Sequence, residues 1–244
     1  ALANVLGADP WFNVPHRGTD DFNTQFATLV KRMLRPELKV YVEYSNEVFN
    51  PQFKQFHWAV AEEKRLGLPS LNGINYMAKR TVEVMEIWTR VFGDKSNRLV
   101  RVMGGGDATD GWWSNELMTQ AGGNRVIDAL AIAPYFGYYL GNVTNIQTWT
   151  LDKVFNELLS GGNVAGEDGA LIQAERSIKT NADVAKKFAV DLIAYEGGQH
   201  ITGIGLVANN KDATAVFRAA NRDPRMGIVY GKYLDIWKQN GGKL

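Results

Sequence analysis

The stretch Val40-Tyr41-Val42-Glu43-Tyr44-Ser45-Asn46-Glu47 decides how this chain is read, together with Leu192-Ile193-Ala194-Tyr195-Glu196-Gly197-Gly198 far downstream. Each is a short run of strand-forming residues that reaches a glutamate and then breaks, the first into Asn50-Pro51 and the second into Gly197-Gly198. Short, nearly continuous apolar runs of this kind suit strands buried on both faces of a parallel sheet. In a barrel of parallel strands the C-terminal ends converge on one mouth, where such proteins keep their chemistry. Glu47 and Glu196 are therefore expected at one mouth, delivered by two different strands.

Outward from these runs, strand-length segments alternate with helical patterns, which argues for repeated βα units. Trp11 to Pro15 reads as the first strand. Thr19 is placed to cap the next helix, with Asp20 and Asp21 in its first turn, where the helix dipole favours negative charge. Phe22, Phe26, Val30 and Met33 continue it at helical spacing until Pro36. Val40 to Tyr44 is the second strand, and a long insert runs from Val48 to about Leu71. Ile74, Met77, Thr81, Val84, Trp88 and Phe92 mark one face of a helix stopped at Gly93. Leu99 to Met103 is the third strand, ending in Gly104-Gly105-Gly106, and Trp112 and Trp113 lie just beyond, in the loop or at the start of a short helix. Ile127 to Ala133 is the fourth strand and Leu192 to Tyr195 the fifth. Between them lies a polar insert over 138–166, with helical patterns near 150–159 and 171–188. Asp223 and Pro224 open a last helix that ends at Gly241-Gly242. Ala1 to Gly7 reads as the last turns of a helix stopped by Gly7.

The expected fold is α/β, a TIM (β/α)8 barrel of which five strands are visible, forming one domain over residues 1–244. Five strands cannot close such a barrel, and an open remnant would expose two unpaired edges. The chain thus reads as the middle of a barrel, two strands short at the front and one at the back. Three outcomes stay open: further polypeptide completes it, a partner protomer does, or the fold is a smaller open α/β sheet.

Composition removes several function classes. Hydrophobic residues at 45% and charged residues at 22% describe an ordinary globular chain, not a disordered one. A net charge of +1 with no basic block gives no electrostatic reason to propose nucleic acid or an anionic membrane as partner. No apolar run approaches the roughly 20 residues that span a bilayer. The absence of cysteine excludes disulfides, thiolate metal sites and a cysteine nucleophile. Three scattered histidines give little support to a metal site, and no cofactor is expected. Gly104-Gly105-Gly106 lacks the Lys-Ser/Thr of a phosphate loop and the spacing of a dinucleotide fingerprint, so it reads as a strand-to-helix turn.

Paired carboxylates at one mouth suit acetal cleavage. One must hold a proton for the leaving oxygen while the other, about 5–5.5 Å away, attacks the sugar carbon. Taken singly, a glutamate at a strand end is as readily a solvated carboxylate or an ion-pair partner. Glu43 shares strand parity with Glu47 but lies deeper, and reads as a buried structural carboxylate paired with Arg101. His16 follows the first strand and is expected to face the same mouth, or else to cap a surface loop. His200, four residues after Glu196, is a candidate to line a subsite. Trp112 and Trp113 offer faces for stacking on sugar rings, against the alternative that one packs in the core while the other covers a loop.

Trp11-Phe12-Asn13-Val14-Pro15-His16, Tyr44-Ser45-Asn46-Glu47, Ala133-Pro134-Tyr135 and Tyr195-Glu196-Gly197-Gly198 occur in an order that resembles the third, fourth, sixth and seventh strands of clan A glycoside hydrolases, the cellulase-like retaining (β/α)8 enzymes. The resemblance implies that Glu47 is the acid/base and Glu196 the nucleophile, that Asn46 hydrogen-bonds the sugar 2-hydroxyl, and that Tyr135 orients the nucleophile. It implies a retaining hydrolase of a β-linked oligo- or polysaccharide, working outside the cell or in the periplasm, where such polymers lie. The alternative expectation is a non-catalytic carbohydrate-binding or scaffold domain that keeps an incomplete barrel without turnover.

Overall fold

The computed structural model describes residues 2–106 and 110–244. Its strands are β1 (Trp11–Val14), β2 (Val40–Tyr44), β3 (Leu99–Gly104), β4 (Ala129–Ile132), β5 (Tyr135–Phe136), β6 (Asp191–Ala194) and β7 (Gly198–Gln199). Five of them form a parallel sheet in the order β1-β2-β3-β4-β6, and β5 pairs with β7, also parallel, in a separate two-stranded sheet. The fold is thus mixed α/β, with the main strands lying side by side in the order in which they occur. By its internal contacts the chain divides into two compact units. The first comprises the chain through Gly106, with Gly111–Ile132 and Val184–Ile193; the second comprises Ala133–Asp183 and Ala194–Leu244.

In the first unit the register sets Asn13 beside Glu43 and Glu43 beside Val102, while Arg101 stands beside Val42. Neighbours in register share a sheet face, so Glu43 and Arg101 project to opposite sides. Val14, Val40, Val42, Met103 and Leu130 are fully buried on one face. The aromatic sequence Phe12, Phe26, Trp88 and Phe92 runs from that face into two helices, α2 (Asp20–Met33) and α4 (Ile74–Phe92), with ring centroids 5.2–6.0 Å apart. As expected from the sequence, Thr19 caps α2 by accepting the Phe22 amide at 3.1 Å. Gly93, at φ +52°, ends α4. The short N-terminal helix α1 (Leu2–Leu6) stops at Gly7, at φ +64°. Trp112 and Trp113 open the helix α5 (Trp112–Gln120), the second of the two placements the sequence left open.

The insert after β2 holds a helix the sequence reading did not assign, α3 (Lys54–Arg65). The second unit contains α6 (Leu151–Leu159), most of α7 (Ala170–Lys187), α8 (Lys211–Arg222) and α9 (Arg225–Gln239). Helix α8 also escaped the sequence reading. Its buried stripe is Ala213, Phe217 and Ala220, too thin in large apolar residues to stand out, although Asn210 caps it by accepting the amides of Asp212 and Ala213 at 3.0 Å.

Candidate functional site

Strand β2 carries its chemistry just past its last residue. Tyr44 is buried and donates its hydroxyl to the His16 carbonyl at 2.9 Å, tying the β1 loop to this strand end. Desolvation, with Tyr76 beside it, drives the Tyr44 phenol far above its ordinary pKa, so it stays a neutral donor. Ser45 is buried, and Asn46 is exposed with its carbonyl held by the Gln55 amide at 2.6 Å. Glu47 is half-buried, and its carboxylate accepts the Asn50 side-chain amide at 2.8 Å. Its φ is +41°, in the left-handed region that L-residues with a side chain rarely occupy. Such a conformation costs of order 1–3 kcal/mol and persists only where the surroundings impose it.

Aromatic rings flank this segment. Phe49 meets Trp113 edge to face at 6.4 Å, and Trp113 meets Trp112 at the same separation. Trp112 is 48% exposed, whereas Trp113 is half-buried with its indole nitrogen buried and unpartnered. Of the two, only Trp112 offers a broad accessible surface. His16 is half-buried, edge-on to Trp58 at 6.1 Å, with the Arg17 guanidinium over that same indole at 4.7 Å. Burial first and the neighbouring Arg17 second hold the His16 imidazole below its ordinary pKa.

Glu43 is buried as expected, but the partner expected for it is wrong. It accepts from Trp11 Nε1 at 2.9 Å and Asn13 Nδ2 at 2.8 Å, both on β1. Arg101, on the other face, forms a two-pronged pair with Asp128 at 2.6 and 2.8 Å. The Glu43 carboxylate fills the space over Gly104, where any Cβ would collide with it. That contact gives the first glycine of Gly104-Gly105-Gly106 a packing reason to be glycine.

In the second unit, Glu196 is exposed and stands just before β7. The β5–β7 register sets Tyr135 beside Gly198, two residues beyond Glu196, so backbone pairing brings together two of the residues singled out in sequence. Gly198 has φ +110°, and a Cβ there would lie 2.6 Å from the Tyr230 hydroxyl. Only glycine fits. Tyr230 accepts the Gln199 amide at 3.1 Å, and Tyr233 donates to the Pro134 carbonyl at 2.9 Å. Burial pushes the Tyr233 phenol up to about 12, partly opposed by the Gly198 amide that it accepts. These two α9 tyrosines brace the Glu196 segment. His200 stacks edge-on to Tyr135 at 5.3 Å and tilted against Tyr138 at 5.0 Å. Its Nδ1 is buried without a partner.

The predicted residues thus fall into two groups: His16, Asn46, Glu47, Trp112 and Trp113 in the first unit, Tyr135, Glu196 and His200 in the second. Sequence reasoning missed Asn50 as a carboxylate partner, Trp58 and Phe49 as flanking rings, and Tyr230 as a brace. Only Asn50 carried a signal, as a polar breaker within reach of Glu47. Among the described residues no cluster of three or more histidine and carboxylate side chains is suited to a metal ion. Comparison with models of known protein families, with curated proteins and with solved structures finds no match to this chain.

Proposed function

We propose that the chain is the part of a (β/α)8 barrel that runs from its third to its seventh strand, and that it belongs to a retaining glycoside hydrolase acting on a β-linked glycan. The observation that carries this reading is that β2 and β6, strands of one parallel sheet, each run at the C-terminal end into a glutamate. The order β1-β2-β3-β4-β6 never reverses, as it would at the switch point of a doubly wound sheet, which favours a barrel wall. The left-handed backbone at Glu47 adds support, because strain of this kind collects at functional sites.

In this mechanism Glu47 protonates the glycosidic oxygen as Glu196 attacks the anomeric carbon, the C–O bond breaks, and a glycosyl ester forms on Glu196. Glu47, now ionised, takes a proton from water, which cleaves the ester and returns Glu196 as a carboxylate with net retention. Asn46 holds the 2-hydroxyl, Tyr135 orients Glu196, and Trp112 offers a stacking face. Polymeric glycans place this activity outside the cell or in the periplasm.

A second reading, carbohydrate binding without turnover, draws on the sheet face that bears Trp11, Asn13 and Tyr41. Asn13 is exposed and the two stacked rings are only half-buried, whereas the inner face of a closed barrel is packed with side chains. Further polypeptide or a second protomer would complete that wall in the hydrolase. NMR of a panel of β-linked oligosaccharides treated with the protein tests the two readings. The hydrolase reading expects the β-anomer to be released first and Glu196→Gln to abolish release while sparing binding. Binding with no release by the unmodified protein would leave the second reading in its place.

A further inference from the structure

The second unit holds a cleft of about 600 Å³ that runs from Tyr135 along the polar insert. This lies within the roughly 300–1,000 Å³ of small-ligand sites and has room for more than one sugar ring. One wall is aromatic: Tyr135 at the strand end and Tyr138, 53% exposed. The facing wall is polar and already paired, with Arg176 on Asp168 at 2.6 Å and Gln173 on Glu167 at 2.9 Å.

A buried carboxylate braces the segment that leads into this wall. Glu157 is fully buried and accepts the Tyr139 hydroxyl at 2.7 Å, the Asn163 amide at 2.7 Å and the Asn163 side chain at 3.1 Å. Gly161 and Gly169 pack backbone to backbone beside it, too close for any side chain. The wall is therefore set before a ligand arrives, which lowers the cost of binding.

The lining narrows the ligand. Among the described residues its one cation, Arg176, is already paired, and two carboxylates leave an excess of negative charge, so an anion is disfavoured. Carboxylate and amide groups facing phenol rings suit a ligand with hydroxyls along its edge and C–H groups on its faces. We propose that this cleft is a subsite for neutral, uncharged sugar units of the glycan, continuing from Tyr135; the proposal rests on the glycosidase reading of the same strand end.

Calorimetric titration of the full chain with cello-, manno- and xylo-oligosaccharides, and with an oligogalacturonate as the acidic counterpart, tests it. At least one neutral series is expected to bind, the oligogalacturonate is not, and Tyr138→Ala is expected to weaken binding about tenfold. Asp168→Ala, on the opposite wall, is expected to act in the same direction. No binding by any neutral series, tighter binding of the oligogalacturonate, or unchanged affinity in both variants would overturn the subsite. Hydrolysis of an aryl β-glycoside by the unmodified protein is followed in parallel and reports on the hydrolase reading alone. Neutral binding lost in the variants without any hydrolysis upholds the cleft and removes the hydrolase; hydrolysis with both variants binding normally does the reverse.

Discussion

Glu47 and Glu196 close runs of similar sequence, yet the chain holds them by opposite means. Glu47 is half-buried, bonded to Asn50 three residues on, and kept in left-handed backbone at φ +41°. Glu196 is exposed, and the unusual backbone next to it falls on Gly198, braced by Tyr230. Strain at a side-chain-bearing residue in the first unit contrasts with freedom granted to a glycine in the second. The contrast is compatible with the proposed roles, Glu47 as an acid/base in a controlled environment and Glu196 as a nucleophile open to substrate.

The largest expected effects test that division of labour. Under the proposed mechanism, Glu196→Gln should lower turnover by roughly 10⁴-fold or more on every substrate, because it would remove the bond-forming atom. Glu47→Gln should cost roughly 10²–10⁴-fold on glycans and much less on aryl glycosides, whose leaving groups need no proton. Equal losses in both variants on an aryl glycoside would break the assignment of roles.

Stability separates the two ends next. Gly198→Ala meets both positive φ and the Tyr230 hydroxyl, and should destabilise by about 1–3 kcal/mol. Glu43→Ala should cost a similar amount, about 1–3 kcal/mol, by leaving the donors of Trp11 and Asn13 without their acceptor. For a chain of this size each kcal/mol lowers the melting temperature by roughly 2–4 °C. Unchanged melting in either variant contradicts the packing described. Glu47→Gly, by contrast, relieves the left-handed strain while losing the Asn50 bond, so its melting temperature should fall less than that of Gly198→Ala. A fall as large as that of Gly198→Ala would contradict the strain assigned to Glu47.

The smallest effect concerns His16. Its folded pKa lies below the 6.5 of the free imidazole, so the unfolded chain binds the proton more readily. The stability contribution is full above the unfolded value and is lost as pH falls through the folded one. His16→Gln should therefore shrink the drop in melting temperature between about pH 8 and about pH 5. An undiminished drop would assign the acid sensitivity to other groups.

What could be read from the sequence was what local physics determines. The Thr19 cap, the stop at Gly93 and the run Val40–Tyr44 each depend on residues within a few positions. Pairing across the chain was less legible. The β5–β7 sheet joins two-residue strands from distant segments, a signal too short for any periodicity. The true partners of Glu43 followed from a register that sets Arg101 beside Val42, and that register is fixed only when the strands assemble. The glutamates stood out because they end apolar runs; Asn50 was marked only as a polar breaker, and Tyr230, which braces the second segment, had no marker.

The most direct test of the central claim is covalent trapping. The protein is incubated with a panel of 2-deoxy-2-fluoro β-glycosyl fluorides, which slow the second step, and its peptides are analysed by mass spectrometry. One glycosyl adduct is expected, on the peptide that carries Glu196 and at that residue, and none in Glu196→Gln. An adduct on Glu47 or on any other residue, or hydrolysis of a β-glycan with no adduct formed, would contradict it.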